Sequence, residues 1–365
     1  EKVTNVAPTR LRSSPLLRFR SLLVRRRLPL ALTAAALSGA VAIGVLAFLT
    51  KGDAERVVLG EVELRPFAAN PPGAERSARA ATFVETFRHR FTEVGIKTAS
   101  AGGPAGDSEF ILAGELGRDG ARDFFTAHLE DRRTGATLWS MRGEPTEGAA
   151  WESNLAAFAL SCALKRRDPA KGPDLLSRYL AGCAAYLKQD FRSQLAAATA
   201  ALELAPEDPA ALGFLAIANA AVAYIASSSI PDRDRKLGDA RRLAQYALKR
   251  EPKNYDALIA MGFTHPHPRF AEQERWWRAA LEAEPGVGWG AGRYASFLAQ
   301  MGRTREAMDM EMQAMQFRRT FANVRAANLF LSQGDHRAAG ELFDLIRPFD
   351  PARVAARELS ANIRF

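Results

Sequence analysis

Leu202–Pro209, LELAPEDP, reads as a junction between two helical repeats. Pro206 closes the helix before it, because proline has no N–H with which to continue the hydrogen-bond ladder. The same punctuation recurs down the chain. Pro252, Pro285 and Pro351 are separated by 33 and 66 residues, and the intermediate slot at Arg318 lacks its proline. Pro206 precedes Pro252 by 46 residues, one period plus an insertion near IASSSIPDRDR, Ile225 to Arg235. Upstream of three of these prolines the same pair returns, as Ala201-Leu202, Ala247-Leu248 and Ala280-Leu281.

A period near 33–34 residues built from two helices and ended by proline resembles the tetratricopeptide repeat. Gly182 matches in a first helix, and Gly302 and Gly334 match in the turn between helices. Ala240, Ala307 and Ala339 match where the second helix presses on the first. The resemblance implies about five repeats over residues 172–365, with an atypical last helix, PARVAARELSANIRF. Each helix pair has an apolar face it cannot bury alone, so neighbours stack into a superhelix with a concave groove. Such a groove takes a protein or peptide partner. First-helix position and side-chain type single out Arg178, Asn219, Tyr224, Tyr255, Tyr294, Asn323 and Asn328 as its candidate lining.

Residues 51–167 read differently. RVVLGEVELRPF suggests a strand, and Asn70-Pro71-Pro72-Gly73 breaks the chain. A helix follows with Ala80, Phe83, Val84, Phe87, Phe91 and Val94 on one face, running to Ile96 before the loop SAGGPAGD. Three β-rich runs separated by DG and TG turns then read as an antiparallel meander, and the helix WESNLAAFALSCALKRR closes the unit. This β–α–β–β–β–α order suits one sheet with helices on one side. Phe110 to Ser140 resembles the extracytoplasmic TolB-N-terminal-like domain of certain bacterial membrane regulators. The match runs through Leu112, Gly114, Gly120, Thr126, Ala127, Leu129, Asp131, Thr134, Gly135, Leu138, Trp139 and Ser140. It departs at Gly117 and Phe124, where that pattern prefers arginine, and the opening strand's LRPF is less faithful. The resemblance implies a cytoplasmic output domain, a single span, this α/β domain and then repeats; it supplies no catalytic residue.

The span itself is legible at Leu28 to Thr50, 23 residues without a charge. At about 1.5 Å per residue such a helix crosses a hydrocarbon core of about 30 Å. Before it lie eight basic residues against Glu1, a net +7, which leaves +2 of the chain's +9 for everything after residue 27. The basic arm, residues 1–27, is therefore expected in the cytoplasm and the rest outside it, with the apolar core too long for a cleaved signal peptide. The charge count also removes the case for a nucleic-acid-binding body. Ala36, Ala40 and Gly44 form a small-residue line that would allow a homodimer through the span. A start at Glu1 without methionine points to a cytoplasmic portion lying before it.

The fold class expected is thus mainly α: a single transmembrane helix, a small α/β domain and an α-solenoid. No nucleophile elbow, HExxH, nucleotide loop or dinucleotide fingerprint appears, so no enzyme, cofactor or metal is expected. His265 and His267 lack the third ligand zinc needs and read as a proline-stiffened turn. Trp277 falls on the large core position of its helix, with Trp276 beside it. GVGWGAG, Gly286 to Gly292, reads as a loop between repeats rather than a phosphate cradle. Cys162 and Cys183, the two cysteines, read as buried free thiols in preference to a disulfide between the domains. The functional expectation is a single-pass inner-membrane sensory or interaction protein with its large part extracytoplasmic. An envelope assembly scaffold that transmits no signal is the alternative.

Overall fold

The computed structural model describes residues 59–100, 108–120, 122–143, 150–225, 229–265, 269–284, 288–317 and 327–346. The arm, the charge-free run and the expected last helix lie outside them. Among the described residues no helix is long and apolar enough to cross a membrane.

The first domain runs β1 (Gly60–Leu64), β2 (Ala68–Ala69), α1 (Ala74–Glu93), β3 (Ile96–Ser100), β4 (Phe110–Asp119), β5 (Arg122–Asp131), β6 (Thr137–Gly143) and α2 (Ala150–Leu164). The sheet order is β3-β1-β4-β5-β6, with β2 beside β4. The expected meander is present as antiparallel β4, β5 and β6. Its turns use Gly120 and Gly135 at φ +61° and +70°, where a side chain would be strained. One strand escapes the sequence reading: IKTAS is β3, parallel to β1, rather than a helix end running into a loop. Only Ile96 among its five residues is fully buried, so periodicity carries little signal and the pairing itself makes the strand.

Period-3.6 spacing puts Ala80, Phe83, Phe87 and Phe91 of α1 on the sheet, where Phe87 meets Phe67 at 5.8 Å and Phe83 meets Phe125 at 5.5 Å. β5 alternates accordingly, with Phe125, Ala127 and Leu129 buried and Thr126, His128 and Glu130 partly exposed on the other face. The two departures from the family pattern prove to be one unit. Gly117 and Phe124 are cross-strand partners, and a Cβ on Gly117 would lie 2.5 Å from the Phe124 ring that covers it. Arg142 in turn stacks over that ring at 3.9 Å.

The second domain is a stack of helix pairs: α3 (Gly172–Leu187) with α4 (Phe191–Leu204), α5 (Pro209–Ile225) with α6 (Ile230–Arg250), α7 (Tyr255–Thr264) with α8 (Phe270–Ala283), and α9 (Gly288–Gln300) with α10 (Thr304–Phe317). Helical residues 327–332 and α11 (His336–Ile346) continue it. The junction LELAPEDP behaves as read: α4 ends before Pro206, and Asp208 accepts the Ala210 and Leu212 N–H groups as α5 begins at Pro209. One insertion-lengthened period later, Asn254 repeats the device with Ala257 and Leu258.

The turns inside pairs repeat as well. Asp190, Arg303 and Asp335 each donate their N–H to the carbonyl five residues back, on Ala185, Leu298 and Phe330. The residue before each, Gln189, Gly302 or Gly334, has positive φ, the helix-ending arrangement of a Schellman motif. A few residues into each following helix stand Gln194, Ala307 and Ala339, all 0% exposed. Gln194 is the misfit, since neither amide atom has a hydrogen-bond partner. GVGWGAG is corrected too: from Gly288 onward it is the first turn of α9. There the Gly290 N–H approaches the Tyr255 hydroxyl to 2.5 Å, and a Cβ at Gly290 would crowd that oxygen.

Candidate interaction surface

First helices of such an array would line its groove, but here two of them, α5 and α7, are sealed. Residues 211–223 of α5 and 255–262 of α7 are buried without a break. A cation from just past α2 sits against them. The Arg166 guanidinium, just past α2, lies 4.9 Å over the Phe214 ring of α5 and pairs with both Asp256 oxygens of α7 at 2.5 and 2.6 Å. Its Nη1 contacts Cys162 Sγ at 3.0 Å and Cys183 Sγ of α3 at 3.9 Å. One side chain therefore touches three successive first helices. Lys165 adds an ion pair to Glu284 at 3.1 Å. Further along, Arg293 of α9 donates to the Tyr186 hydroxyl of α3 at 3.2 Å, joining pairs one and four.

The candidate groove residues fall out accordingly. Asn219, Tyr255 and Tyr294 do not line an open groove: they are 8%, 6% and 5% exposed and occupied inside the array. Asn219 donates to Leu215 O, Tyr255 accepts from Gly290, and Tyr294 donates to Glu274 at 2.6 Å. Arg178 is exposed on α3, and Asn328 is half-buried. Tyr224 is 49% exposed while its hydroxyl donates to Phe263 O at 2.8 Å. Asn323 lies outside the described residues. Cys162 and Cys183 are joined as a disulfide between α2 and α3, contrary to the preference for free thiols. Twenty-one residues separate them in sequence, and packing α2 on α3 brings them together.

His265 is explained without a metal. Trp276 Nε1 donates to its Nε2 at 2.8 Å, and Glu272 lies 3.3 Å from Nδ1. Burial, reinforced by Arg241, pushes its pKa below the usual histidine value, which keeps Nε2 free to accept. His267 lies outside the described residues, and among those described no group of three His, Cys, Asp or Glu is placed to hold a metal.

Glu274 ties pair three to pair four. Burial disfavours its charge, but donors from Tyr294, Arg303 at 2.8 Å and Arg278 at 2.7 Å prevail and hold its pKa at about 2. A depressed carboxyl pKa stabilises the fold above the ordinary glutamate value, and that contribution disappears as pH falls toward 2. We expect Glu274→Gln to lower the urea midpoint at pH 7, with the gap to the wild type closing between about pH 4.5 and 2. A gap that stays constant across that range would contradict the assignment.

A cavity of about 580 Å³ lies between α4 and the beginning of α6, lined by Arg192, Leu195, Thr199, Val222, Asp232 and Lys236 among others. The insertion before α6 makes it, because that helix is 21 residues long where α4 and α8 have 14. Tyr224, 49% exposed, precedes the same insertion, and Ile230, 65% exposed, lies within it. The repeat period marks the insertion in the sequence but not the surface it makes.

A small mixed sheet followed by an array of stacked helix pairs is the class this geometry defines. No protein-family model and no curated protein matches the chain. Among solved structures it is similar to TTC0263, a thermophilic TPR protein of Thermus thermophilus, at 17% identity and TM-score 0.41, covering 50% of this chain and 95% of that one. It is also similar to MamA, at 13% identity and TM-score 0.32, covering 49% of this chain and 96% of that one. A second MamA structure gives 12% identity and TM-score 0.31, with 52% and 97% covered.

Proposed function

We propose that this chain is a single-pass inner-membrane interaction protein. Its extracytoplasmic sheet domain and repeat array bind a protein or peptide partner and pass that binding to a cytoplasmic output domain. The charge-free run at 28–50 and the +7 arm before it support the anchoring and its direction. The resemblance of Phe110 to Ser140 to the sensory domain of membrane regulators supports the signalling context. The observation that carries the interaction reading is the outer groove between α4 and α6, an apolar floor of Leu195, Ala196, Ala200 and Val222 rimmed by charges of both signs. A floor of that kind suits an amphipathic helix of a partner.

Photo-crosslinking in native membranes tests this. A photoreactive residue at Thr199 or Lys236 of the full chain is expected to give a discrete protein adduct, and one at Thr126 on the sheet's outer face is not. Adducts of equal yield from all three positions, or none from the groove, would overturn the reading. A groove adduct whose loss leaves the cytoplasmic side unaffected would replace signalling by the scaffold alternative.

A further inference from the structure

The Cys162–Cys183 disulfide ties the last helix of the sheet domain to the first helix of the array. Three other ties hold the same junction: Arg166 to Asp256, Lys165 to Glu284, and Ser177, whose hydroxyl donates to Leu138 O on the outer strand β6 at 2.9 Å. Two of these four share a group. Arg166 holds Asp256 with Nε and Nη2 while its Nη1 rests 3.0 Å from Cys162 Sγ and 3.9 Å from Cys183 Sγ. With the sulfurs bonded to each other they carry no charge, and the cation belongs to Asp256. With that bond opened, two thiols stand beside a guanidinium, which favours thiolate against the opposing burial and the Asp256 carboxylate.

We propose that the cystine is a redox-operated latch, in which reduction by a dithiol draws Arg166 from Asp256 and loosens the sheet domain from the third helix pair. This goes beyond the proposed function and does not depend on it. The exchange is balanced. A thiolate of the reductant attacks Cys162 Sγ, since Cys162 is 7% exposed and Cys183 0%. The S–S bond breaks, and Cys183 leaves as thiolate beside the cation. The reductant's second thiol then displaces Cys162 from the mixed disulfide, so that two electrons pass to the protein and the dithiol becomes a disulfide. The two protons given up by the dithiol are shared between the new thiols and solvent. Thiolate at either sulfur pulls on the same guanidinium through Nη1 while Nε and Nη2 hold Asp256, so the cation shifts toward sulfur and the tie to α7 weakens.

The full chain, purified without reductant, is treated with dithiothreitol under native conditions, and thiols are counted with a maleimide. The expected result is no thiol before treatment and two after it, appearing without urea and faster than global unfolding. Hydrogen exchange of the reduced protein should show lost protection at Leu138–Ser140 and Asp256–Ile259, with α8 and β5 unchanged. The double variant Cys162→Ser/Cys183→Ser lacks the covalent tie but offers no thiolate, so it should keep protection at Asp256–Ile259. Two thiols before treatment, or reduction that proceeds only at the rate of global unfolding, would overturn the latch. Protection lost equally in the serine variant would overturn the displacement of Arg166, and wild-type reduction decides the latch even if that variant fails to fold.

Discussion

Arg166→Met is expected to destabilise the protein by about 3–5 kcal/mol, because it leaves the Asp256 carboxylate without its buried cation. Arg166 and Asp256 side chains are only 10% and 6% exposed, so water does not replace what the substitution removes. The loss extends past the pair. Nη1 also donates to the Cys162 carbonyl near the end of α2, and the guanidinium covers the Phe214 ring. A buried ion pair and its hydrophobic replacement are often of similar stability, whereas half a pair is costly. The double variant Arg166→Met/Asp256→Leu is therefore expected to recover most of the loss. Urea unfolding of the full chain under non-reducing conditions reads both. A double variant as unstable as the single one would show that Asp256 is not the group left exposed to the penalty.

Trp277→Ala is expected to cost a similar amount, about 3–5 kcal/mol, by emptying the core of the third helix pair. Its indole is 2% exposed, meets Phe263 edge-on at 5.0 Å and presses on the Gly262 backbone, where a Cβ would lie 2.7 Å from the ring. Small opposite large is how this pair closes, just as Gly182 admits Phe214 earlier in the array. The indole N–H has no hydrogen-bond partner, so Trp277→Phe should lose volume alone and cost less than Trp277→Ala. Denaturant midpoints of the two variants separate packing from hydrogen bonding. Equal losses would place an unseen polar contact at Nε1.

Much of this architecture is legible in the chain because it is local. LELAPEDP, the Ala-Leu pairs and the turn glycines mark helix ends, and helix ends recur wherever the same backbone geometry does. Phe83, Phe87 and Phe91 declare a face because a helix turns at a fixed period. β3 is not legible, since five residues with a single buried side chain become a strand only through pairing with β1. The groove failed for a related reason. Position in a repeat says that Tyr255 and Tyr294 face inward, but it does not say that Gly290 and Glu274, each from the neighbouring helix pair, occupy their hydroxyls. The cystine is likewise a product of α2 packing on α3. Gly117 and Phe124 look like two separate departures from a pattern until the β4–β5 register makes them partners. The outer groove sits at the insertion, which the period revealed only as a gap in its own regularity.

Tyrosine nitration of the native full chain, mapped by mass spectrometry, tests most directly whether the inner surface is sealed and the outer one open. The chain has six tyrosines, whose exposure runs from 0% to 49%. Tyr224 and Tyr246, 49% and 41% exposed, should react, while Tyr179, Tyr255 and Tyr294, at 0%, 6% and 5%, should stay unmodified until the protein unfolds. Nitration of Tyr255 and Tyr294 at the rate of Tyr224 would mean an open inner groove and would contradict the account.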